Sequence, residues 1–84
     1  MLYRIMTENK NKKEVINLCN KRFKGFTVYE AMGYWRGRPE KSLIVEIIAK
    51  KIICKAEALA RDIKKLNNQE AVLLETLRNN SWLI

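Results

Sequence analysis

The sequence predicts one small α+β domain in which strands and helices follow each other as β-α-β-β-α-β. Three observations lead there. Two stretches carry apolar residues at helical spacing, and the segments around them are rich in β-branched, aromatic or continuous apolar residues. The chain has 84 residues, room for one domain and not two. The two β-α-β halves have similar length.

Each element has its own justification. Leu2 to Thr7 (LYRIMT) is short and β-favouring, the first strand. Glu8 to Asn11 is polar and holds two asparagines, which suit a turn and a helix N-cap. From Lys12 to Phe23, Val15, Ile16, Leu18, Cys19 and Phe23 recur at helical spacing, Lys21, Arg22 and Lys24 favour the negative end of the dipole, and Gly25 offers a stop. Phe26 to Trp35 is the second strand, with Phe26, Val28, Glu30 and Met32 on one side and Thr27, Tyr29 and Ala31 on the other. Gly33 within it marks a bulge or a close backbone approach.

Arg36 to Lys41 (RGRPEK) holds Gly37 and the only proline, Pro39, and reads as a loop between two strands. Ser42 to Ala49 (SLIVEIIA) is the most apolar strand. Lys50 to Leu66 is the second helix, with Ile52, Ala56, Leu59, Ile63 and Leu66 as its apolar stripe. Gln69 to Leu77 has a helix-friendly composition, but it is short and follows Asn67 and Asn68, so it is read as the fourth strand. Asn79 and Asn80 make a turn, and Ser81 to Ile84 an apolar tail that adds a short strand. The expected architecture is the ferredoxin-like one: a four-stranded antiparallel sheet, two helices on one face, and the other face uncovered.

Composition narrows the function. The residues are 48% apolar and 31% charged, a globular balance. A net charge of +8 and a pI near 9.8 favour anionic partners: nucleic acid, nucleotides or an acidic membrane surface. No run reaches the length of a membrane span, and Arg4 and Glu8 interrupt any signal-peptide core, so a cytoplasmic protein is expected. Cys19 and Cys54 fall within apolar helical patterns, form no CxxC, and suit a reducing compartment. Histidine is absent, and with it the commonest general base; there is no P-loop and no nucleophile elbow. No enzyme activity, metal or cofactor is expected.

One segment combines the chemistry of anion recognition. Tyr34 and Trp35 precede Arg36, Gly37, Arg38 and Lys41. Arginine forks grip phosphate, aromatic faces stack on a base, and glycine lets backbone N–H groups approach. The plainer alternative is a hairpin turn with charged tips. Lys50 and Lys51, beside Lys55, form a second basic patch at the start of a helix, or a solvated end. Lys10, Lys12 and Lys13 form a weaker one. Glu30 and Glu46 sit among apolar neighbours in adjacent strands, where a carboxylate needs a partner; Arg4 is the candidate, on the open sheet face, in a salt bridge or at a subunit interface. Trp82 is assigned to packing or an oligomer contact.

The pattern resembles a family of short, uncharacterised ferredoxin-like proteins. There a T-V-x-x-A-x-G-x-W strand, matched here by Thr27, Val28, Ala31, Gly33 and Trp35, leads to E-x-S-x-x-V-E-I, matched by Glu40, Ser42, Val45, Glu46 and Ile47. Asn68 to Glu75 (NQEAVLLE) is similar to the last strand of that family. More distantly the layout resembles proteins of the PII and CutA types, and the resemblance implies trimers formed through the sheets with small ligands at subunit clefts. The loop here is much shorter than in PII proteins. Small, basic phage-encoded proteins that sequester nucleotide signals have the same general character.

The expectation is a non-enzymatic homo-oligomer, dimer or trimer, that binds an anionic small molecule such as a nucleotide. A nucleic-acid-binding domain using the sheet and a protein–protein interaction module are the alternatives.

Overall fold

The computed structural model of the chain describes residues 1–50 and 53–77, without the side chain of Trp35. Its elements are β1 (Leu2–Glu8), α1 (Lys12–Arg22), β2 (Thr27–Trp35), β3 (Arg38–Ile48), α2 (Ile53–Asn67) and β4 (Leu73–Leu77). The sheet order is β2-β3-β1-β4, with every neighbouring pair antiparallel. This is the expected ferredoxin-like arrangement, and Leu73–Leu77 is a strand rather than a helix.

Alternation along β1 sends Tyr3, Ile5 and Thr7 toward the helices, and along β3 it sends Leu43, Val45 and Ile47 the same way; all are buried. They meet Val15 and Cys19 of α1 and Ala56, Leu59, Ala60 and Ile63 of α2 in one core. Burying each of the larger of these side chains contributes about 1.5–3 kcal/mol. The stripe on α2 leaves the expected line at its end. Leu66 is 38% exposed, and the buried residue of the last turn is Asn67, one position on. Cys54, expected in an apolar pattern, is exposed.

Both ends of α1 differ from expectation. Asn11 is the N-cap residue, but it is left-handed (φ 52°, ψ 42°) and its side chain makes no cap bond. The helix stops at Phe23, whose extended backbone (φ −132°, ψ 140°) turns the ring against the core; Gly25 takes no part in the cap.

The segment read as a loop from Arg36 to Lys41 is largely strand. Trp35 pairs with Arg38, leaving only Arg36 (φ 50°) and Gly37 (φ 76°) between the strands. Two central residues at positive φ make a turn whose twist matches that of the strands it joins. The register then runs without a bulge to Thr27 opposite Glu46, past Gly33, where an added Cβ would meet only ordinary 3.8 Å contacts.

β1 ends at Glu8, opposite Ser42, so Arg38–Lys41 run past it as a projecting hairpin. A two-residue turn makes Trp35–Arg38 the first hydrogen-bonded pair, and alternation then turns the nitrogen of Pro39 away from β2. A proline costs no ladder bond at that position and removes an edge donor.

Candidate functional site

The best-organised polar region lies at the root of this hairpin, where β1, α2 and two loops meet. Asn67 is 5% exposed and buries an amide that needs partners. Its Oδ1 accepts from Asn11 Nδ2 at 3.0 Å; its Nδ2 donates to Gln69 Oε1 at 2.9 Å and to Thr7 Oγ1 at 3.2 Å. The Thr7 hydroxyl donates to Gln69 Oε1. No buried polar side-chain atom among the described residues lacks a partner. This closed network ties the end of α2 to the β1–α1 loop, and the left-handed Asn11 and Asn68 flank it.

Asn9 extends the junction to both strands of the hairpin. Its N–H donates to the Lys41 carbonyl at 3.2 Å, and its side chain bonds the Glu30 carboxylate. That bond, then Lys12 at 3.5 Å and Lys41, hold the carboxyl of Glu30 below its usual range. Above the junction opens a groove of about 480 Å³. Lys10 and Lys41 line it with Glu8, Glu40, Ser42 and Gln69; Lys10 is held by Glu8 at 2.9 Å, whereas Lys41 is in no ion pair among the described residues. A cation, a hydroxyl and an amide on a fixed base can take an anionic group. The hairpin beyond carries Arg38 and Arg36 outward, and Tyr34 is 73% exposed on it.

The sheet face opposite the helices, uncovered among the described residues, has a different character. Register places Leu2, Arg4 and Met6 of β1 beside Ile48, Glu46 and Ile44 of β3, Tyr29 of β2, and Leu77, Glu75 and Leu73 of β4. Arg4 Nε lies 2.9 Å from Glu46 Oε2, and its Nη1 3.9 Å from Glu75 Oε1. The Glu46 bond, ahead of the cost of desolvation, raises the pKa of Arg4. Ile44 is buried at 3% on this face, yet Ile48 is 66% and Leu73 54% exposed.

The expected site residues are only partly brought together. Tyr34, Arg36, Arg38 and Lys41 share the hairpin, but as two strands and a turn. Lys50 lies beyond the far end of β3, and the rise over the ten residue steps from Arg38 to Ile48 is roughly 33 Å, so it joins no common site with them within one subunit. Lys51, Trp82 and the side chain of Trp35 lie outside the described residues. Arg4 and Glu46 do meet on the open face. Glu30 does not join them: it lies on the helix side, bound to Asn9 and Lys12. The polar junction itself was missed, because Asn9, Asn11, Asn67 and Gln69 read as two unrelated polar turns; amides repeated in both loops were its one signal.

Among the described residues no cluster of three or more acidic, cysteine or histidine side chains could hold a metal, and no helix is long and apolar enough to cross a membrane. Burial pushes the Cys19 thiol up to about 11, so it is a poor nucleophile at neutral pH.

In sequence, no family model and no curated protein matches the chain. Its fold is similar to solved structures. A DUF3240 family protein from Shewanella baltica OS155 superposes with a TM-score of 0.67 at 15% identity, over 99% of this chain and 94% of that one. The de novo designed protein Foldit4 does so with a TM-score of 0.54 at 20% identity, over 94% of each chain. A variant of CutA1 from Pyrococcus horikoshii OT3 gives 0.52 at 18% identity, over 96% of this chain and 87% of that one. At these identities the likeness is one of fold: this chain shares the ferredoxin-like architecture of CutA1 and of a DUF3240 protein.

Proposed function

We propose that the chain is a non-enzymatic, self-associating module that binds an anionic small molecule, a nucleotide in the first instance, at the projecting β2–β3 hairpin and the groove at its root. The observation that carries this reading is Arg36. It occupies a left-handed position (φ 50°) that Asn or Gly fills at little cost and that a long side chain fills at a cost on the order of 1 kcal/mol. Residues held in such conformations gather at functional sites. Here the strain sets an arginine at the tip of a hairpin that also carries Arg38, on the open-face side of β3, and Lys41, on its helix side, which lines the groove at the root.

The open sheet face supports self-association. Exposed Tyr29, Ile48, Leu73 and Leu77 surround the Arg4–Glu46 pair, and a small domain gains from burying such a face against a second copy. A second subunit is also what could bring Lys50 near another chain's hairpin. The lack of histidine and the buried, high-pKa Cys19 support a binding role over a catalytic one, and the free thiols suit a reducing compartment.

Calorimetric titration with nucleoside mono-, di- and triphosphates tests the reading. Saturable binding that weakens at least tenfold in Arg36→Ala and in Arg38→Ala supports it. Absence of binding across the panel, or indifference to both substitutions, overturns it.

A further inference from the structure

The charge of the chain is divided unevenly between its two faces. α1 carries four Lys/Arg and one Glu, α2 four Lys/Arg and two acidic residues, a net +5 of the total +8. On the opposite face, register groups Arg4 and Arg38 with Glu8, Glu40, Glu46 and Glu75, a net −2 among the described residues. Three helix cations are engaged: Lys12 by Glu30, Arg22 by Asp62 at 2.8 Å, and Arg61 by Glu57 at 3.6 Å. Lys13, Lys21, Lys55, Lys64 and Lys65 are exposed and in no ion pair among the described residues. Lys21 and Lys65 line a groove of about 670 Å³ between the helices.

We propose that this helix layer binds the phosphate backbone of double-stranded nucleic acid without reading its sequence. The cations are spread along the layer and not gathered into a cup: Lys55 and Lys65 lie ten residues apart on α2, about 15 Å at helical rise. Such spacing matches a partner whose charge repeats along its length, one per ~1.7 Å of duplex axis. The unengaged cations on the two helices are all lysines, compact point charges on flexible stems that hold phosphate without a fixed fork geometry. Neither helix carries an aromatic residue, so single-stranded bases have no stacking platform there. The sheet face, which an RNA-recognition domain would use, is acidic here and repels the same partner. This inference rests on the helix lysines and not on the hairpin, so it stands or falls separately from the nucleotide reading.

The test is fluorescence anisotropy of a labelled 20-base-pair duplex DNA with the full chain, titrated from 25 to 200 mM KCl. The expected slope of log Kobs against log[KCl] is about −3 to −5, for four or five phosphates engaged. Replacing Lys13, Lys21, Lys64 and Lys65 together by Gln makes the slope shallower by about 3, with circular dichroism unchanged, whereas the Arg36→Ala/Arg38→Ala variant keeps it. Lack of binding at 25 mM KCl, a slope indifferent to the lysines, or loss confined to the hairpin variant overturns the proposal. So does competition by polyglutamate as effective as that of unlabelled duplex, which points to an acidic protein as the partner.

Discussion

Arg4 on β1 and Glu46 on β3 face each other across the centre of the uncovered sheet, Nε to Oε2 at 2.9 Å, with side chains only 29% and 23% exposed. Glu75 on β4 stands on the other side of the same arginine at 3.9 Å. One cation therefore serves two carboxylates on a largely apolar surface. Replacing Arg4 by Met leaves the acids facing each other across an apolar gap. The expected result is a lower Tm for Arg4→Met, recovered in large part by adding Glu46→Gln and Glu75→Gln. Equal losses with and without the acids would mean that the arginine acts through packing alone.

The Asn67 network makes a prediction about stability. Asn67→Ala strips partners from Asn11, Thr7 and Gln69 at a junction where Asn67 and Thr7 are both buried. Leaving buried polar groups unpaired costs about 1–3 kcal/mol apiece before any relaxation, so a loss of about 2–4 kcal/mol in urea unfolding is expected. Thr7→Val, which removes only the hydroxyl, loses less. A loss below about 0.5 kcal/mol for Asn67→Ala would show that water replaces the amide without cost.

The two cysteines separate by burial. Cys54 is exposed and Cys19 fully buried, so a thiol reagent modifies one cysteine per native chain at pH 8 and two after unfolding. The Cys19 thiol is raised from 9.0 to about 11 in the folded chain. Its neutral form is favoured in the fold, so its contribution is complete below pH 9 and is lost as pH climbs from 9 to 11, on the order of 2–3 kcal/mol. Cys19→Ala is less stable at neutral pH but lacks this part of the alkaline decline. Parallel pH profiles for the two proteins would contradict the assignment.

On the proposed reading, the turn separates stability from nucleotide binding. Arg36→Asn places a residue that tolerates φ 50° before Gly37. It raises stability by about 0.5–1 kcal/mol and weakens nucleotide binding tenfold or more. A variant that gains stability and keeps full affinity removes Arg36 from the site.

Most of the fold was legible because alternation and helical spacing are local signals. Leu43, Val45 and Ile47 of the apolar strand and the stripe Ala56, Leu59 and Ile63 each sit in the core where alternation and helical spacing put them. The hairpin was misjudged because glycine and proline together signal a loop, while the Trp35–Arg38 pairing that makes Arg38–Lys41 a strand is a tertiary fact. The sequence suggests the open face for Glu30 beside Glu46, although alternation with Val28 and Met32 sets it on the side away from Tyr29; its partners, Asn9 and Lys12, come from the β1–α1 loop and from a helix packed on the other side. Leu66 looked like core until the helix closed on Asn67, whose burial depends on amides and a hydroxyl supplied from β1, the β1–α1 loop and the α2–β4 loop. Contacts of that kind have no periodicity to read.

The central claim is that several subunits together hold an anionic small molecule. Native mass spectrometry of the protein purified gently from cells reads both parts at once. The account predicts a dimer or trimer carrying a discrete mass of nucleotide size, lost in the Arg36→Ala/Arg38→Ala variant. A monomer free of any small-molecule mass would contradict it.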